Sequence, residues 1–212
     1  MLGMEAYREM VRSWLQPELS DRGFKKRASV FVRQADEVTC LVDYRTNRHD
    51  PPKATAVHFT VGIGVWSHRL QAFYGTQQRP VTWDDSHWRE RLGFFLPENR
   101  DVWWPIDEST VDSVGDQQRE YLTSILIPEL DKRHADEALL AEWLAGRSPG
   151  LTKQQRLLNT LILVHTLRPD SDWRSLANEL LIETKGRASQ YLTEEYLAAL
   201  WPEYRVELGM TS

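Results

Sequence analysis

The sequence predicts an α+β protein: an antiparallel sheet of about five strands with flanking helices, followed by a C-terminal helical segment. Three observations carry this. Apolar residues recur with a period of two through much of residues 24–66. Five of the nine tryptophans fall between Trp66 and Trp104, among strand-like segments, as a broad packed sheet face requires. From His134 onward the apolar spacing is helical.

The elements follow in chain order. Met4, Tyr7, Val11, Trp14, Leu15 and Leu19 recur at helical spacing over residues 4–22. Pro17 kinks or divides that helix, because proline removes a backbone donor. Gly23 suits the left-handed position just past its end. In 24–33, Phe24, Lys26, Ala28, Val30 and Val32 alternate with Lys25, Arg27, Ser29, Phe31 and Arg33, which reads as one strand. Val38, Cys40, Val42 and Tyr44 alternate with Thr39, Leu41, Asp43 and Arg45, and Gln34-Ala35-Asp36 joins the two runs as a hairpin.

Asn47–Lys53 is a polar, proline-containing loop. The clearest strand follows: Val57, Phe59, Val61, Ile63 and Val65 line one face, and His58, Thr60, Gly62, Gly64 and Trp66 the other. Two glycines on one face leave bare backbone for a ring to cover, and Trp88, Trp103 or Trp104 is expected there. Residues 67–86 read as an irregular connection. Trp88–Leu96 and Asp101–Ile106 read as two more strands around the turn Pro97-Glu98-Asn99-Arg100, giving an antiparallel meander. A helix is expected over 110–132.

The domain reading is a sheet domain over residues 1–133 and a helical extension over 134–212 packed on it. The extension starts with a helix over 135–145, ended by Ser148-Pro149-Gly150. Thr152 with Gln155 forms a capping box for the next helix. Ser171 is the expected cap of a helix that stops at Gly186, and Leu192, Thr193 and Leu197 fit a staple around a further cap.

Composition bounds function. The net charge of −5 argues against a generic nucleic-acid binder, so any basic surface is local. A single cysteine, Cys40, excludes an internal disulfide framework and fits a reducing cytosol. Met1–Arg8 shows no secretory signal pattern. The strongest apolar run, Leu157–Leu167, is broken by Asn159, Thr160, His165 and Thr166 and is too short to cross a membrane. A soluble cytoplasmic protein with no membrane partner is therefore expected.

A resemblance covers the first part of the chain. Gly23-Phe24-Lys25-Lys26, Phe31-Val32-Arg33, Phe59-Thr60-Val61-Gly62-Ile63-Gly64-Val65, Arg91-Leu92-Gly93 and Asp101-Val102-Trp103-Trp104-Pro105-Ile106 occur in order. Over about residues 5–132 they make the chain similar to the bacterial family catalogued as domain of unknown function 4304. The resemblance supports the fold and implies no catalytic residues. Around Tyr44-Arg45-Thr46-Asn47 the chain departs from similar members, which usually show a glutamine and a serine. The helical tail lies outside it.

Two sets of residues point to chemistry. If one sheet face packs on helices, the other collects Lys25, Arg27, Arg33, Arg45, Arg89 and Arg91, interleaved with Phe31, Phe95, His58 and Trp66. Guanidinium groups beside aromatic rings hold phosphates, carboxylates or unstacked bases. Solvated strand residues whose stems cover the sheet give the same pattern. In the tail, Asp170 with Glu183-Thr184-Lys185 resembles the Asp…Glu-x-Lys signature of Mg²⁺-dependent nucleases. That chemistry needs Glu183 and Lys185 on a strand, yet Trp173, Leu176, Ala177, Leu180 and Leu181 repeat with a helical period. Asp84-Asp85-Ser86-His87 are consecutive, which fits a turn rather than a triad converging from separate segments. The reading is thus non-catalytic binding of a protein partner or an anionic ligand, with no cofactor and no metal. The alternative is a Mg²⁺-dependent nuclease using Asp170, Glu183 and Lys185.

Overall fold

The computed structural model describes residues 2–76 and 82–203. They fall into two compact units, one of residues 2–68 and 82–135, the other of residues 69–76 and 136–203.

The first unit opens with α1 (Gly3–Met10), a π-helical turn (Val11–Leu15) and α2 (Gln16–Asp21), which run on without a break. The same sequence of forms recurs in α4 (Val111–Tyr121), a π-turn (Leu122–Leu126) and α5 (Ile127–Asp131). In both places a proline, Pro17 or Pro128, stands at the start of the segment after the π-turn. Proline has no N–H to give the preceding turn, and its ring clashes with the carbonyl four residues back. The wider turn absorbs this, so the expected interruption at Pro17 is a local widening. Gly23 closes α2 at φ +79°.

Among the described residues six strands form one antiparallel sheet: β1 (Lys25–Arg27), β2 (Val30–Gln34), β3 (Val38–Thr46), β4 (Val57–Ser67), β5 (Trp88–Arg91) and β6 (Trp104–Ile106). Their order is β1-β2-β3-β4-β5, with β6 also paired to β4. The expected single strand over 24–33 is a hairpin instead. Ala28, at φ +54°, turns the chain, and Arg27 then faces Val30. The turn resets the alternation, so the residues after it lie on the face opposite to the one that unbroken counting gives. The expected strand over 88–96 also stops early. After Arg91 the chain coils into a 3₁₀ turn, Leu92–Phe95, where a Cβ on Gly93 would press on the Val102 backbone.

Cross-strand partners share a face, and the face alternates along each strand. One face carries Phe31, Cys40, Val42, Tyr44, Phe59, Val61, Ile63, Val65 and Trp88, all buried. The helices cover it. Tyr7 on α1 donates to the Tyr44 carbonyl at 2.5 Å and packs on Phe59 with ring centroids 5.8 Å apart. Phe59 touches Trp104, which in turn touches Tyr121 on α4. The other face carries Lys25, Arg27, Asp43, Arg45, His58, Thr60, Gly62, Gly64, Arg89 and Arg91.

Helix α3 (His68–Phe73), all but His68 of which belongs to the second unit, lies inside the stretch expected to be irregular and leads into residues 74–76. It is followed by α6 (Asp136–Leu144), α7 (Lys153–Leu167), α8 (Arg174–Thr184) and α9 (Gln190–Leu200). Thr152 and Gln155 form the expected capping box of α7. Asp172, not Ser171, holds the start of α8, accepting from the Arg174 N–H at 3.1 Å. Thr193 lies inside α9 and gives its hydroxyl to the Ser189 carbonyl, so the expected cap is an internal residue. Trp173 stacks on Trp201 at 3.9 Å, and the Tyr74 hydroxyl donates to Asn159.

Helix α4 meets the first π-turn closely. A Cβ on Gly115 would lie 2.6 Å from the Trp14 ring. Gly→Ala inside a solvated helix stabilises by about 1 kcal/mol. Here the sign reverses, and Gly115→Ala is expected to destabilise by about 1–3 kcal/mol through overpacking. A urea midpoint at or above wild type would show that the two helices have room to spare.

Candidate functional site

The polar sheet face has a bare centre. Across it, Asp43 on β3, Gly62 on β4 and Arg91 on β5 stand in one row. Arg45 opposes Thr60 in a neighbouring row, and Leu41, Gly64 and Arg89 form another. Glycine in two adjacent rows leaves a trough with backbone as its floor.

Residues 82–87 lie over that trough. A Cβ on Gly62 would sit 2.6 Å from Cε2 of Trp83, and one on Gly64 would sit 2.9 Å from the Ser86 Cβ. The Trp83 indole donates through Nε1 to the Ile63 carbonyl at 2.9 Å. The glycines are therefore covered by Trp83 and Ser86, not by Trp88, Trp103 or Trp104. Trp88 and Trp104 are committed to the helix-covered face, and Trp103 stands beside Arg91.

The segment is tied down along its length. The Thr82 carbonyl accepts from Trp66 Nε1 at 3.0 Å and from the Ser86 hydroxyl at 3.1 Å, and the Thr82 hydroxyl donates to Asp85 at 2.7 Å. His87 is buried, packs at a tilt against Trp66 and accepts from the Ser67 N–H through Nδ1 at 3.0 Å. Asp84-Asp85-Ser86-His87 is thus the fixed turn that holds Trp83 down.

Three guanidinium groups surround the Trp83 ring. Arg45, Arg89 and Arg91 lie 5.5, 5.7 and 5.5 Å from its centroid. Arg45 pairs with Asp43 at 2.8 Å and Asp84 at 3.0 Å. Arg91 pairs with Asp101 at 2.6 Å and faces the Trp103 ring as well. Among the described residues Arg89 pairs with no carboxylate; it donates to the Ser86 carbonyl at 3.2 Å. Burial pushes the Asp43 carboxyl above the usual carboxylate range, and the adjacent Arg45 works against that rise.

Asp43, Arg45, Thr60, Gly62, Trp83 and Arg91 line a small cleft of water-molecule size that opens to solvent. Asp43 and Thr60 are only 3% and 4% exposed. Asp43 Oδ1 and Thr60 Oγ1 have no hydrogen-bond partner among the described residues.

The residues named from sequence distribute unevenly. Arg45, Arg89 and Arg91 come together at Trp83. Trp66 shares their face but is buried, holding the Thr82 carbonyl. His58 shares it too and pairs with Asp50 at 3.3 Å. Lys25 and Arg27 are on that face by register, exposed on the outermost strand. Phe31 and Arg33 are on the other side, because the turn at Ala28 reset the alternation. Phe31 is buried, and Arg33 lies over Phe24 and pairs with Asp131 at 2.5 Å. Phe95 is in the 3₁₀ turn, off the sheet. Asp43, Thr60, Trp83 and Asp101 are not among the site residues named from sequence, and Asp84 is named there only as part of a turn. Asp43 and Arg45 carried a usable signal: an acid and a base two apart on one strand point the same way.

In the second unit, Asp170 lies in the turn before α8. Glu183 is on α8 and pairs with Arg187 at 2.8 Å and Lys153 at 3.9 Å. Lys185 caps the helix end. The strand that the Asp…Glu-x-Lys chemistry requires is a helix. Among the described residues no group of three or more His, Cys, Asp or Glu is placed to hold a metal ion. No helix in them is long and apolar enough to cross a membrane.

The family model described as "Domain of unknown function (DUF4304)" matches residues 15–132, which contain the whole cleft. No curated protein and no solved structure matches the chain.

Two outcomes test the site's construction. Gly62→Val drives a methyl group into Trp83 and is expected to cost about 1–3 kcal/mol; an unchanged thermal melt would mean that the indole is not seated on the backbone. His87 has its pKa lowered to about 4 by burial. The unfolded chain binds that proton near pH 6.5, the folded chain only near 4. The contribution of neutral His87 is therefore complete above about pH 6.5 and falls away toward pH 4, by about 3 kcal/mol. Urea titrations across that window should show a steeper pH dependence for wild type than for His87→Gln; parallel curves would contradict a buried neutral imidazole.

Proposed function

The chain belongs to the family of the domain of unknown function 4304, and we propose that it is a non-catalytic binding protein. Its polar sheet face, centred on Trp83, takes the carboxylate or phosphate groups of an anionic ligand or of an acidic partner segment. The observation that carries this is the convergence of Arg45, Arg89 and Arg91 on one indole that is already fixed to the sheet. A site whose cations are held in place before binding loses little side-chain freedom on binding.

Buried Asp43 holds Arg45, but the exposed carboxylates beside the arginines are readily displaced. Asp84 and Asp101 are exposed, so their pairs with Arg45 and Arg91 are surface ion pairs worth about 0–1 kcal/mol. A ligand carboxylate exchanges for them at little cost. Arg89, without a carboxylate partner among the described residues, supplies unbalanced charge. Planar guanidinium forks suit two-point contact with carboxylate and phosphate.

Polyglutamate is a suitable probe, followed by tryptophan fluorescence at low and at physiological salt. Wild type is expected to bind, more weakly as salt rises, because the contacts are exposed and screened. Arg89→Glu combined with Arg91→Glu is expected to weaken binding by about tenfold or more, since it places like charge against the ligand. The melting temperature should fall by no more than a few degrees, as exposed charges contribute little to stability. Equal affinity in the double variant would reduce the face to a solvated surface.

A further inference from the structure

The polar face is ordered across its strands as well as along them. Arg27 on β1, Val30 on β2, Asp43 on β3, Gly62 on β4 and Arg91 on β5 are successive register partners, so they form one row across the sheet. Two positions of the row are overlain by a neighbour. Arg45 donates to Asp43 Oδ2 through Nε at 3.1 Å and Nη2 at 2.8 Å, which holds its guanidinium over β3. The Trp83 ring lies over Gly62. The outer surface of the row therefore runs cation, apolar, cation, aromatic, cation: Arg27, Val30, Arg45, Trp83, Arg91. Arg27 is exposed, Val30 and Trp83 are half-buried, and Arg45 and Arg91 keep part of their side chains in solvent. Val30 packs on the buried Val32, Leu41 and Trp66, which fixes its place.

Spacing decides what fits such a row. Neighbouring strands lie about 4.8 Å apart, so the cations recur about every 10 Å with an apolar group midway between them. An extended peptide repeats its side chains on one face about every 6.6 Å and falls out of step with this pattern. A strand of duplex nucleic acid carries a charge about every 3.4 Å of axis, far more densely than the row does. An α-helix advances about 10.5 Å in two turns, after which the side chain at i+7 returns to the face of residue i. The residues at i+3 and i+4 share that face about 5 Å along, where Val30 and Trp83 stand.

We infer that this row seats an amphipathic α-helix of a partner protein, lying across the strands. The helix carries a carboxylate at every seventh residue and an apolar residue between successive carboxylates. The carboxylates meet Arg27, Arg45 and Arg91, and the apolar side chains rest on Val30 and Trp83. About fifteen residues span the roughly 19 Å from β1 to β5. This names the partner of the Trp83 face and rests on that face being a binding surface.

The test uses the full chain and three labelled peptides of roughly twenty residues, followed by fluorescence anisotropy. The aligned peptide carries glutamate at every seventh position, with leucine midway between. The dispersed peptide has the same composition, its glutamates spread around the helix. The third is the aligned peptide with a central proline, which breaks the helix. The aligned peptide is expected to bind about tenfold more tightly than the other two, the gain from three surface ion pairs made together. Amide shifts in ¹⁵N-labelled chain should run from Arg27 and Val30 to Arg91 and the Trp83 indole. Arg27→Glu, at the far end of the row, is expected to weaken the aligned peptide about fivefold by placing like charge against it. The same change should leave the dispersed peptide within about twofold and the melting temperature in place, since Arg27 is exposed.

Equal affinity for the aligned and dispersed peptides would overturn the inference. So would full affinity of the aligned peptide for Arg27→Glu, because the helix would then not cross to β1. Oligothymidylate binding more tightly than the aligned peptide would make the face a nucleic-acid surface and do the same. Polyglutamate separates this inference from the reading beneath it. Polyglutamate binding with no preference among the peptides removes the helix and keeps the arginine surface. Failure of both polyglutamate and the aligned peptide removes the surface itself.

Discussion

The polar half of this protein depends on one indole. Trp83 is anchored by a hydrogen bond from Nε1 to the Ile63 carbonyl, and that carbonyl is reachable only because Gly62 has no side chain in the way. Everything nearby takes its position from that ring. The three arginines are arranged around it, the cleft has it as a wall, and the turn from Thr82 to His87 exists to hold it. Glycine in a strand interior ordinarily weakens the sheet. Here Gly62 and Gly64 exchange local strand preference for a tertiary contact.

The helix-covered half follows a different logic. Its aromatic chain from Tyr7 through Phe59 and Trp104 to Tyr121 ties α1, two strands and α4 into one packed layer. Two prolines interrupt the helices that cover it, and each is accommodated by a π-turn rather than a break. In both places the helix runs on past the proline.

Much of this was legible in the residues, and the failure at the first hairpin has an identifiable cause. Phe59, Val61, Ile63 and Val65 announced the central strand and its buried face through alternation alone. Thr152 and Gln155 announced a helix start through side chains that act on their own backbone. The reading failed where a short turn with no glycine or proline lay inside an alternating run. Ala28 adopts a left-handed conformation that its side chain does not advertise, and counting past it put Arg33 and Phe31 on the wrong face. The site was legible in part: Arg45, Arg89 and Arg91 were visible as strand cations. The indole that gathers them comes from a loop whose place over the sheet is set by tertiary contact. Asp43 looked like an ordinary polar strand residue, because burial, and not residue type, is what makes its oxygen unusual.

The outermost strand has a consequence of its own. β1 is Lys25-Lys26-Arg27, all exposed, and among the described residues no strand lies on its far side. An open strand edge is a template onto which another chain's backbone readily adds. A second copy of this chain approaching that edge would bring its own three cations against these three, with no carboxylate in either strand to offset them. The sheet is thereby finite: its hydrogen-bonding pattern could continue, but its charge stops it at this strand.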